Sequence, residues 1–203
     1  MLQARMSARK AEIVRAAGRL FAERGFQGTS LRDIGNAVAL RRGSLYSHFD
    51  SKDEILGMLL APAVRELGEV LDDVARTPGT GRDQLWRGLE AALDCARRHR
   101  DAILVLFQDR QLIEESPVLR EVADEAKCIA PRWLAFIEQG QADGSIRDDV
   151  PTPTIALAIV ALLVGALSDR HLGIYAASDV DDASRSELGH AAASLIFQGI
   201  EPR

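Results

Sequence analysis

Three amphipathic segments within the first fifty residues most constrain how this chain can fold. In the first segment Ile13 and Ala17 share one face at helical spacing, which predicts a helix over 8–24 that ends at a glycine. Two shorter segments follow, the second of them over 41–47, and neither is long enough to be stable alone. Short helices that must pack on one another, with a tight turn between the last two, are typical of a helix-turn-helix.

The remainder of the chain continues the helical pattern. Ala, Leu, Arg and Glu are abundant, and only seven prolines interrupt 203 residues, of which 47% are hydrophobic. Further helices are predicted over 51–74, 82–99, 101–114, 117–140, 152–170 and 183–199. We therefore expect an all-α chain with two domains, one over 1–52 and one over 53–203.

The two predicted domains differ in charge. Residues 1–52 contain ten lysines and arginines against four acidic residues, whereas the remainder contains 15 basic and 26 acidic residues. A basic segment attached to an acidic body suggests a module that binds a polyanion, although the net charge of the whole chain is −5.

The stretch over 29–52 reads TSLRDIGNAVALRRGSLYSHFDSK, and a long helix ending in FAERGF precedes it. It resembles the DNA-binding signature of the TetR family of transcriptional regulators. The matching positions are Gly43, Leu45, Tyr46, Phe49 and Lys52. The resemblance implies that residues 1–52 form a helix-turn-helix that binds double-stranded operator DNA. It also implies that residues 53–203 form a bundle that binds a small-molecule effector and makes a homodimer.

The candidate DNA-contacting residues follow from the chemistry of the major groove. A recognition helix reaches base edges with the residues of its first turn, which must offer hydrogen-bond donors, and Arg41, Arg42 and Ser44 are such donors. Thr29 and Ser30 offer hydroxyls and helix N-terminal amides to a phosphate. The resemblance implies phosphate contacts for Tyr46 and Lys52. The full predicted set is Thr29, Ser30, Arg41, Arg42, Ser44, Tyr46, Ser47, His48 and Lys52.

Less specific roles remain open for several of these residues. The two arginines can be an ordinary solvated pair, and Tyr46 can be an aromatic core residue. His48 can be a surface or packing residue, and Lys52 a solvated lysine.

The turn before the predicted recognition helix departs from the family pattern. Ala39 stands where the family commonly has glycine, so a left-handed backbone there would cost about 1 kcal/mol. Arg41 replaces a capping hydroxyl, and Gly35 replaces the usual alanine.

The family resemblance also directs attention to the end of the chain. Two apolar stretches, over 155–167 and 191–200, are the predicted dimer interface, and the alternative for both is the core within one chain. Effector-binding candidates are bulky or polar residues on otherwise apolar helices, each with a core or surface role as the alternative. They are Trp86, Phe107, Gln108, Arg110, Trp133, Phe136 and His171.

The effector class stays open between two possibilities. The segment around Phe107 weakly resembles regulators of lipid and steroid catabolism that sense acyl-CoA thioesters, and regulators of drug efflux are the alternative. If the effector is a CoA thioester, the basic cluster Arg97, Arg98 and Arg100 could meet its phosphates. The same cations could instead stabilise the end of a helix.

Other protein classes are disfavoured. The sequence contains no catalytic or nucleotide-binding motif, and its four histidines show no metal-ligand spacing, so neither an enzyme nor a cofactor is expected. No signal peptide opens the chain and the apolar run at 155–167 is too short to span a bilayer, which predicts a cytoplasmic protein without a membrane partner. A third alternative, a helical interaction protein that does not bind DNA, would not explain the excess of basic residues over 1–52.

Overall fold

The computed structural model describes residues 8–40, 45–167, 191 and 194–202. Helices make up the regular structure of these residues, and none of them forms a β-strand. The helices are α1 (Ala8–Arg24), α2 (Leu31–Ala37), α3 (Lys52–Arg76), α4 (Gly81–Arg98), α5 (Arg100–Gln108), α6 (Arg110–Glu115), α7 (Arg120–Lys127), α8 (Ile129–Ala142) and α9 (Thr152–Leu167). Residues 194–199 are also helical. The predicted all-α class is confirmed.

The chain divides into two compact units. The first unit comprises Met1–Val64 and Asp101–Asp124, and the second comprises Arg65–Arg100 and Glu125–Arg203. The second unit thus begins with a segment that interrupts the first unit in sequence. The predicted domains over 1–52 and 53–203 concern where DNA binding ends and effector binding begins, and that division stays a prediction.

The start of the first unit follows the sequence pattern closely. Helix α1 buries Ile13, Ala17 and Phe21 completely, and the ring of Phe21 packs against that of Phe26 with centroids 5.1 Å apart. Gly25 ends α1 with a φ of 78°, and its N–H donates to the Phe21 carbonyl at 2.8 Å. A left-handed residue at this position lets the chain turn back towards α2.

Helix α2 ends in a turn that is strained at one residue. The N–H of Leu40 donates to the carbonyl of Gly35, and the N–H of Ala39 donates to that of Asn36. These two bonds form a Schellman motif, whose left-handed position is usually glycine. Here Ala39 occupies it with a φ of 52°, which confirms the expectation from the sequence.

Helix α3 begins with a side-chain cap. The hydroxyl of Ser51 accepts a hydrogen bond from the N–H of Glu54 at 3.1 Å. The Glu54 carboxylate accepts in return from the N–H of Asp50 at 2.8 Å, one residue earlier than a capping box requires. Only half of a capping box is therefore present at this helix start.

Two predicted helices are each interrupted. The helix expected over 101–114 breaks at Asp109, whose carboxylate accepts a hydrogen bond from the distant Phe26 amide. The helix expected over 117–140 begins with a 3-10 turn at Pro117–Leu119 and then breaks at Cys128. Pro131 explains the second break, because a proline ring clashes with the carbonyl four residues earlier and is tolerated in the first turn of a helix, where it now lies.

The second unit has its own apolar core, built from the C-terminal part of α3, from α4, α8 and α9, and from Phe197 and Ile200. Leu85, Leu89, Trp133, Phe136, Ile155 and Ile159 are among its buried members. Helices α4 and α8 approach closely where Gly81 meets Gly140, since a Cβ added at Gly81 would lie 2.0 Å from the Gly140 nitrogen. The N–H of Gly81 also donates to the Asp143 carboxylate at 2.8 Å.

Among the described residues, no helix is both long enough and apolar enough to cross a membrane. Helix α9 contributes its buried residues Ile155, Ile159 and Leu163 to the core of the second unit.

The close approach of α4 and α8 yields a stability prediction. Gly81→Ala would place a methyl group against the α8 backbone, and we expect it to lower the free energy of unfolding by about 1–3 kcal/mol. Gly68→Ala is the matched control, because a Cβ at Gly68 meets nothing within 4 Å. The control should stabilise the protein by up to about 1 kcal/mol, as expected for glycine replaced within a helix. Urea unfolding followed by circular dichroism measures both. Equal stability of Gly81→Ala and the unsubstituted protein would rule out the tight crossing.

Candidate nucleic-acid interface

The predicted recognition segment is described only from Leu45 onwards. Arg41, Arg42 and Ser44, the predicted base-reading residues, lie outside the described residues. Leu45 and Phe49 are buried, and the Phe49 N–H donates to the Leu45 carbonyl at 3.1 Å. The ammonium of Lys10 on α1 lies 4.9 Å from the centre of the Phe49 ring. These two apolar side chains therefore anchor the end of the segment to the first unit.

The polar residues between these anchors face outwards to different degrees. Tyr46 is 64% exposed, which argues against the alternative that it is an aromatic core residue. Ser47 is also exposed, and His48 is half-buried. Because Leu45 and Phe49 are buried on either side of them, Tyr46 and Ser47 are held at a fixed place on the surface.

The start of α2 differs from the expected anion site. Thr29 is only 1% exposed, and its hydroxyl donates to the Gly25 carbonyl at 2.9 Å. Ser30 is exposed and forms a full capping box with Asp33. Hydrogen bonds from the Ser30 hydroxyl and then from its N–H lower the pKa of the Asp33 carboxyl. The sequence predicted two hydroxyls that face a phosphate. In the structure the Thr29 hydroxyl donates to a backbone carbonyl inside the protein, and the Ser30 hydroxyl, although exposed, donates to the Asp33 carboxylate.

Lys52 occupies an internal position rather than that of a solvated lysine. Its ammonium donates to the carbonyl oxygens of Phe26 at 2.7 Å and of Thr29 at 2.8 Å, and it lies 4.1 Å from the centre of the Phe26 ring. Burial lowers the pKa of Lys52. An ammonium has three N–H donors, so two hydrogen bonds leave one for a further acceptor.

Phe26 is held at both of its backbone polar groups. Its N–H donates to the carboxylate of Asp109 at 3.1 Å, while its carbonyl accepts from Lys52. Nearby, the Ser116 hydroxyl donates to the Asp53 carboxylate at 3.1 Å. Lys52, Phe26 and Asp109, which we call the Phe26 clamp, therefore join the α1–α2 loop, the first turn of α3 and the break between α5 and α6. The role of Asp109 was not predicted from the sequence. Its one local signal is the polar run over 108–111 that follows an apolar run.

The Phe26 clamp borders an open groove of about 720 Å³ within the first unit. Gln108, a predicted effector-binding residue, lines this groove together with Lys52 and Asp109. The other two candidates in the first unit are exposed, Phe107 at 39% and Arg110 in an ion pair with Glu114.

The remaining effector candidates belong to the second unit. Trp133 and Phe136 are buried in its core with ring centroids 6.3 Å apart, so the core alternative describes their present position. Trp86 packs edge-on against Phe197 at 4.7 Å and lines a groove of about 500 Å³. His171 lies outside the described residues. Of the six described candidates, three thus belong to the first unit and three to the second.

The groove beside Trp86 contains one unusual polar atom. Arg82 donates to the Glu201 carboxylate at 2.8 Å through one terminal nitrogen, and its Nε is buried without a hydrogen-bond partner among the described residues. Both Arg82 and Phe197 line this groove. A guanidinium next to an aromatic wall can bind an anionic group attached to an apolar body.

The basic cluster at the end of α4 is engaged in ion pairs. Arg98 and the His99 ring both contact the carboxylate of Glu66, the latter at 2.8 Å, and Arg97 pairs with Asp94. The hydrogen bonds from Arg98 and then His99 lower the pKa of Glu66. A phosphate at this cluster would have to compete with carboxylates. Burial raises the pKa of the nearby Cys95 thiol to about 11, so it is not a nucleophile near neutral pH.

Within the described ranges, no group of three or more histidine, cysteine or acidic residues is arranged to hold a metal ion.

Two family models match the chain in succession. The model described as bacterial regulatory proteins of the tetR family matches residues 13–59. The model described as the C-terminal domain of tetracyclin repressor-like proteins matches residues 78–168.

Curated relatives and solved structures agree with these matches. The HTH-type transcriptional repressor KstR2 of Mycobacterium tuberculosis is 31% identical over 146 residues, which cover 71% of this chain and 72% of that protein. The KstR2 of Rhodococcus jostii is 34% identical over 148 residues, which cover 71% of each chain. The structure of the ketosteroid transcriptional regulator KstR2 of M. tuberculosis superposes with a TM-score of 0.82 at 21% identity over all of both chains. AibR in complex with isovaleryl coenzyme A and operator DNA superposes with a TM-score of 0.71 at 18% identity, covering 93% of this chain and 98% of that one.

Proposed function

Because the chain belongs to the TetR family of transcriptional regulators, we propose that it is a repressor that binds a palindromic operator as a homodimer and leaves DNA when a small apolar effector binds. The proposed site of action is the cytoplasm, where a bacterial operator is found. Nothing in this function requires catalysis or a cofactor.

The observation that carries the DNA-binding proposal is the geometry of residues 45–49. Leu45 and Phe49 fix the segment to the first unit, while Tyr46 and Ser47 face outwards immediately after the paired arginines. We assign Arg41, Arg42 and Ser44 to base edges and to adjoining phosphates. Tyr46, Ser47 and His48 are assigned to the phosphate backbone. Ser30 would join them only if its hydroxyl or its N–H left the Asp33 carboxylate, to which both now donate. The hydroxyl and the N–H of Thr29 both donate to carbonyls of the protein, so we assign no phosphate contact to Thr29. Lys52 can contribute through the third N–H of its ammonium.

A substitution series tests this DNA-binding assignment. Arg42→Ala should weaken binding to a selected duplex by about 1–3 kcal/mol and relax the preference at one position, because it removes a base contact. Tyr46→Phe should weaken selected and scrambled duplexes alike, since a phosphate contact carries no sequence information. Arg65→Ala, an exposed arginine of the second unit, is the control and should bind as the unsubstituted protein does. Fluorescence anisotropy on duplexes recovered from a random library measures each affinity. Unchanged binding by both variants would refute the assignment.

The dimer proposal rests on apolar residues that the second unit leaves exposed. Helix α9 turns Ile155, Ile159 and Leu163 into the core, whereas Leu157 is 68% exposed. Leu195, within the helical residues 194–199, is 69% exposed. A role in the core of one chain, the alternative to a dimer interface, therefore explains only one face of α9. We assign the opposite face of α9, together with Leu195, to the interface with a second copy, which a palindromic operator requires.

The interface prediction can be tested with one charge. Ala161→Asp places a carboxylate on the exposed face of α9, where a partner would leave it desolvated and unpaired. We expect sedimentation velocity to show monomers and DNA affinity to fall. Val118→Asp is the matched control, because Val118 is an exposed apolar residue of the first unit. A dimeric Ala161→Asp variant would place the interface elsewhere.

The effector proposal combines the apolar helices of the second unit with the names of the relatives. KstR2 is named as a ketosteroid regulator, and AibR was solved with isovaleryl coenzyme A. We propose an acyl-CoA or steroid-derived effector that packs against Trp86, with Arg82 as a partner for an anionic group. Release follows if the effector binds the DNA-free conformation more tightly, since it can shift the equilibrium only by that difference. The proposed coupling element is α3, which begins in the Phe26 clamp and continues to Arg76.

A ligand screen tests the effector proposal. Acyl and steroid CoA thioesters should raise the melting temperature and release DNA, whereas free acids and cationic drugs should do neither. The chain has only two tryptophans, so Trp86→Phe leaves Trp133 as the sole indole. Quenching by the effector should therefore disappear in Trp86→Phe if the effector packs against Trp86. Release by cationic drugs alone would favour a regulator of drug efflux, and stabilisation without release would refute the coupling.

A further inference from the structure

The turn between α2 and the predicted recognition segment has alanine at the left-handed position that glycine usually occupies without strain. Ala39 adopts a φ of 52° in the left-handed position of the Schellman motif. The two hydrogen bonds of this motif satisfy the carbonyls of Gly35 and Asn36, but not the carbonyl of the cap residue Val38. Among the described residues, no backbone N–H donates to the Val38 carbonyl, which lies next to the strained residue.

Arg9, on the first turn of α1, supplies the missing hydrogen bond. One terminal nitrogen of its guanidinium donates to the Val38 carbonyl at 2.9 Å, across 29 positions of sequence. The other terminal nitrogen contacts the carboxylate of Glu12 at 2.5 Å. A planar guanidinium held on one side by a carboxylate presents its second donor in a fixed direction.

We propose that Arg9 is a positioning residue for DNA recognition. By binding the Val38 carbonyl, Arg9 keeps Ala39 in the left-handed conformation and so fixes the direction in which the recognition segment leaves α2. The Arg9 bond thereby does for this chain what a glycine at position 39 would do through its conformational freedom. The proposal rests on DNA binding by the first unit, and its contact is to the protein backbone rather than to DNA.

The test is a double-mutant cycle of Arg9→Ala and Ala39→Gly. Arg9→Ala should weaken affinity for the selected duplex about tenfold, as expected for loss of a charged hydrogen bond. Ala39→Gly alone should bind as well as the unsubstituted protein, since glycine adopts the turn without strain. In the double variant the loss caused by Arg9→Ala should shrink to about twofold, because relief of a left-handed alanine is worth about fivefold.

Salt dependence separates positioning from a direct phosphate contact. If Arg9 bound a phosphate, Arg9→Ala would reduce the slope of log affinity against log salt by about 0.9, and Ala39→Gly would not rescue it. We expect an unchanged slope and rescue. Arg15→Ala is the control, because Arg15 is an exposed arginine on the same helix and its loss changes the charge equally. Any loss of affinity that it causes should remain when it is combined with Ala39→Gly. Arg9→Lys keeps the charge but loses the fork held by Glu12, so it should behave like Arg9→Ala.

A measurement without DNA keeps this inference separate from the proposed function. Hydrogen exchange of the Ala39 and Leu40 amides, the donors of the Schellman motif, should be about tenfold faster in Arg9→Ala and near normal in the double variant. If no variant binds any duplex but this pattern holds, the DNA-binding function fails and the role of Arg9 in the turn survives. Unchanged exchange in Arg9→Ala, or an affinity loss that persists in the double variant, would overturn the proposal.

Discussion

The first unit depends on the two hydrogen bonds that hold the backbone of Phe26. Asp109 binds its N–H and Lys52 binds its carbonyl, so three parts of the chain meet at one residue. The Phe26 carbonyl also accepts from the Thr29 N–H at 3.3 Å, so the bond to Asp109 matters most for the peptide groups of Phe26. A buried N–H left without an acceptor costs about 1–3 kcal/mol. Because the ring of Phe26 also packs on Phe21 and beneath Lys52, any movement of α3 or of the α5–α6 break must move the loop that precedes α2.

The electrostatics of the DNA-facing region are mostly satisfied within the protein. Asp33 occupies the N-terminus of α2, the Thr29 hydroxyl is used inside, and Lys52 and Arg9 both donate to backbone carbonyls. Counting charges in residues 1–52 therefore overstates the number of cations that face DNA. The basic head identifies a partner class, but part of its charge stabilises loops and turns.

Local signals account for the features that the sequence predicted well. Gly25 ends α1 at the expected residue, because a left-handed helix end depends only on its immediate neighbours. The break at Asp109 depends on a partner 83 positions away and has no local cause strong enough to predict it. Pro131 is a local signal for the break at Cys128, so the expectation of one helix over 117–140 was wrong. Side-chain direction was the hardest property to predict, as Thr29 and Lys52 show, since it depends on which carbonyls the tertiary fold leaves open.

The interrupted path of the chain through the first unit affects how it can be synthesised. Residues 101–124 supply Ile103, Val105, Ile113 and Leu119 to its buried apolar side chains, although they are translated after the segment 65–100 of the other unit. During synthesis the first unit therefore keeps part of its apolar surface uncovered until about residue 124 has emerged. Such non-local closure gives this small helical unit a higher contact order than its short helices suggest. A truncated head that ends at residue 64 would lack part of its own interior, so the DNA-binding end of this protein is not a detachable module.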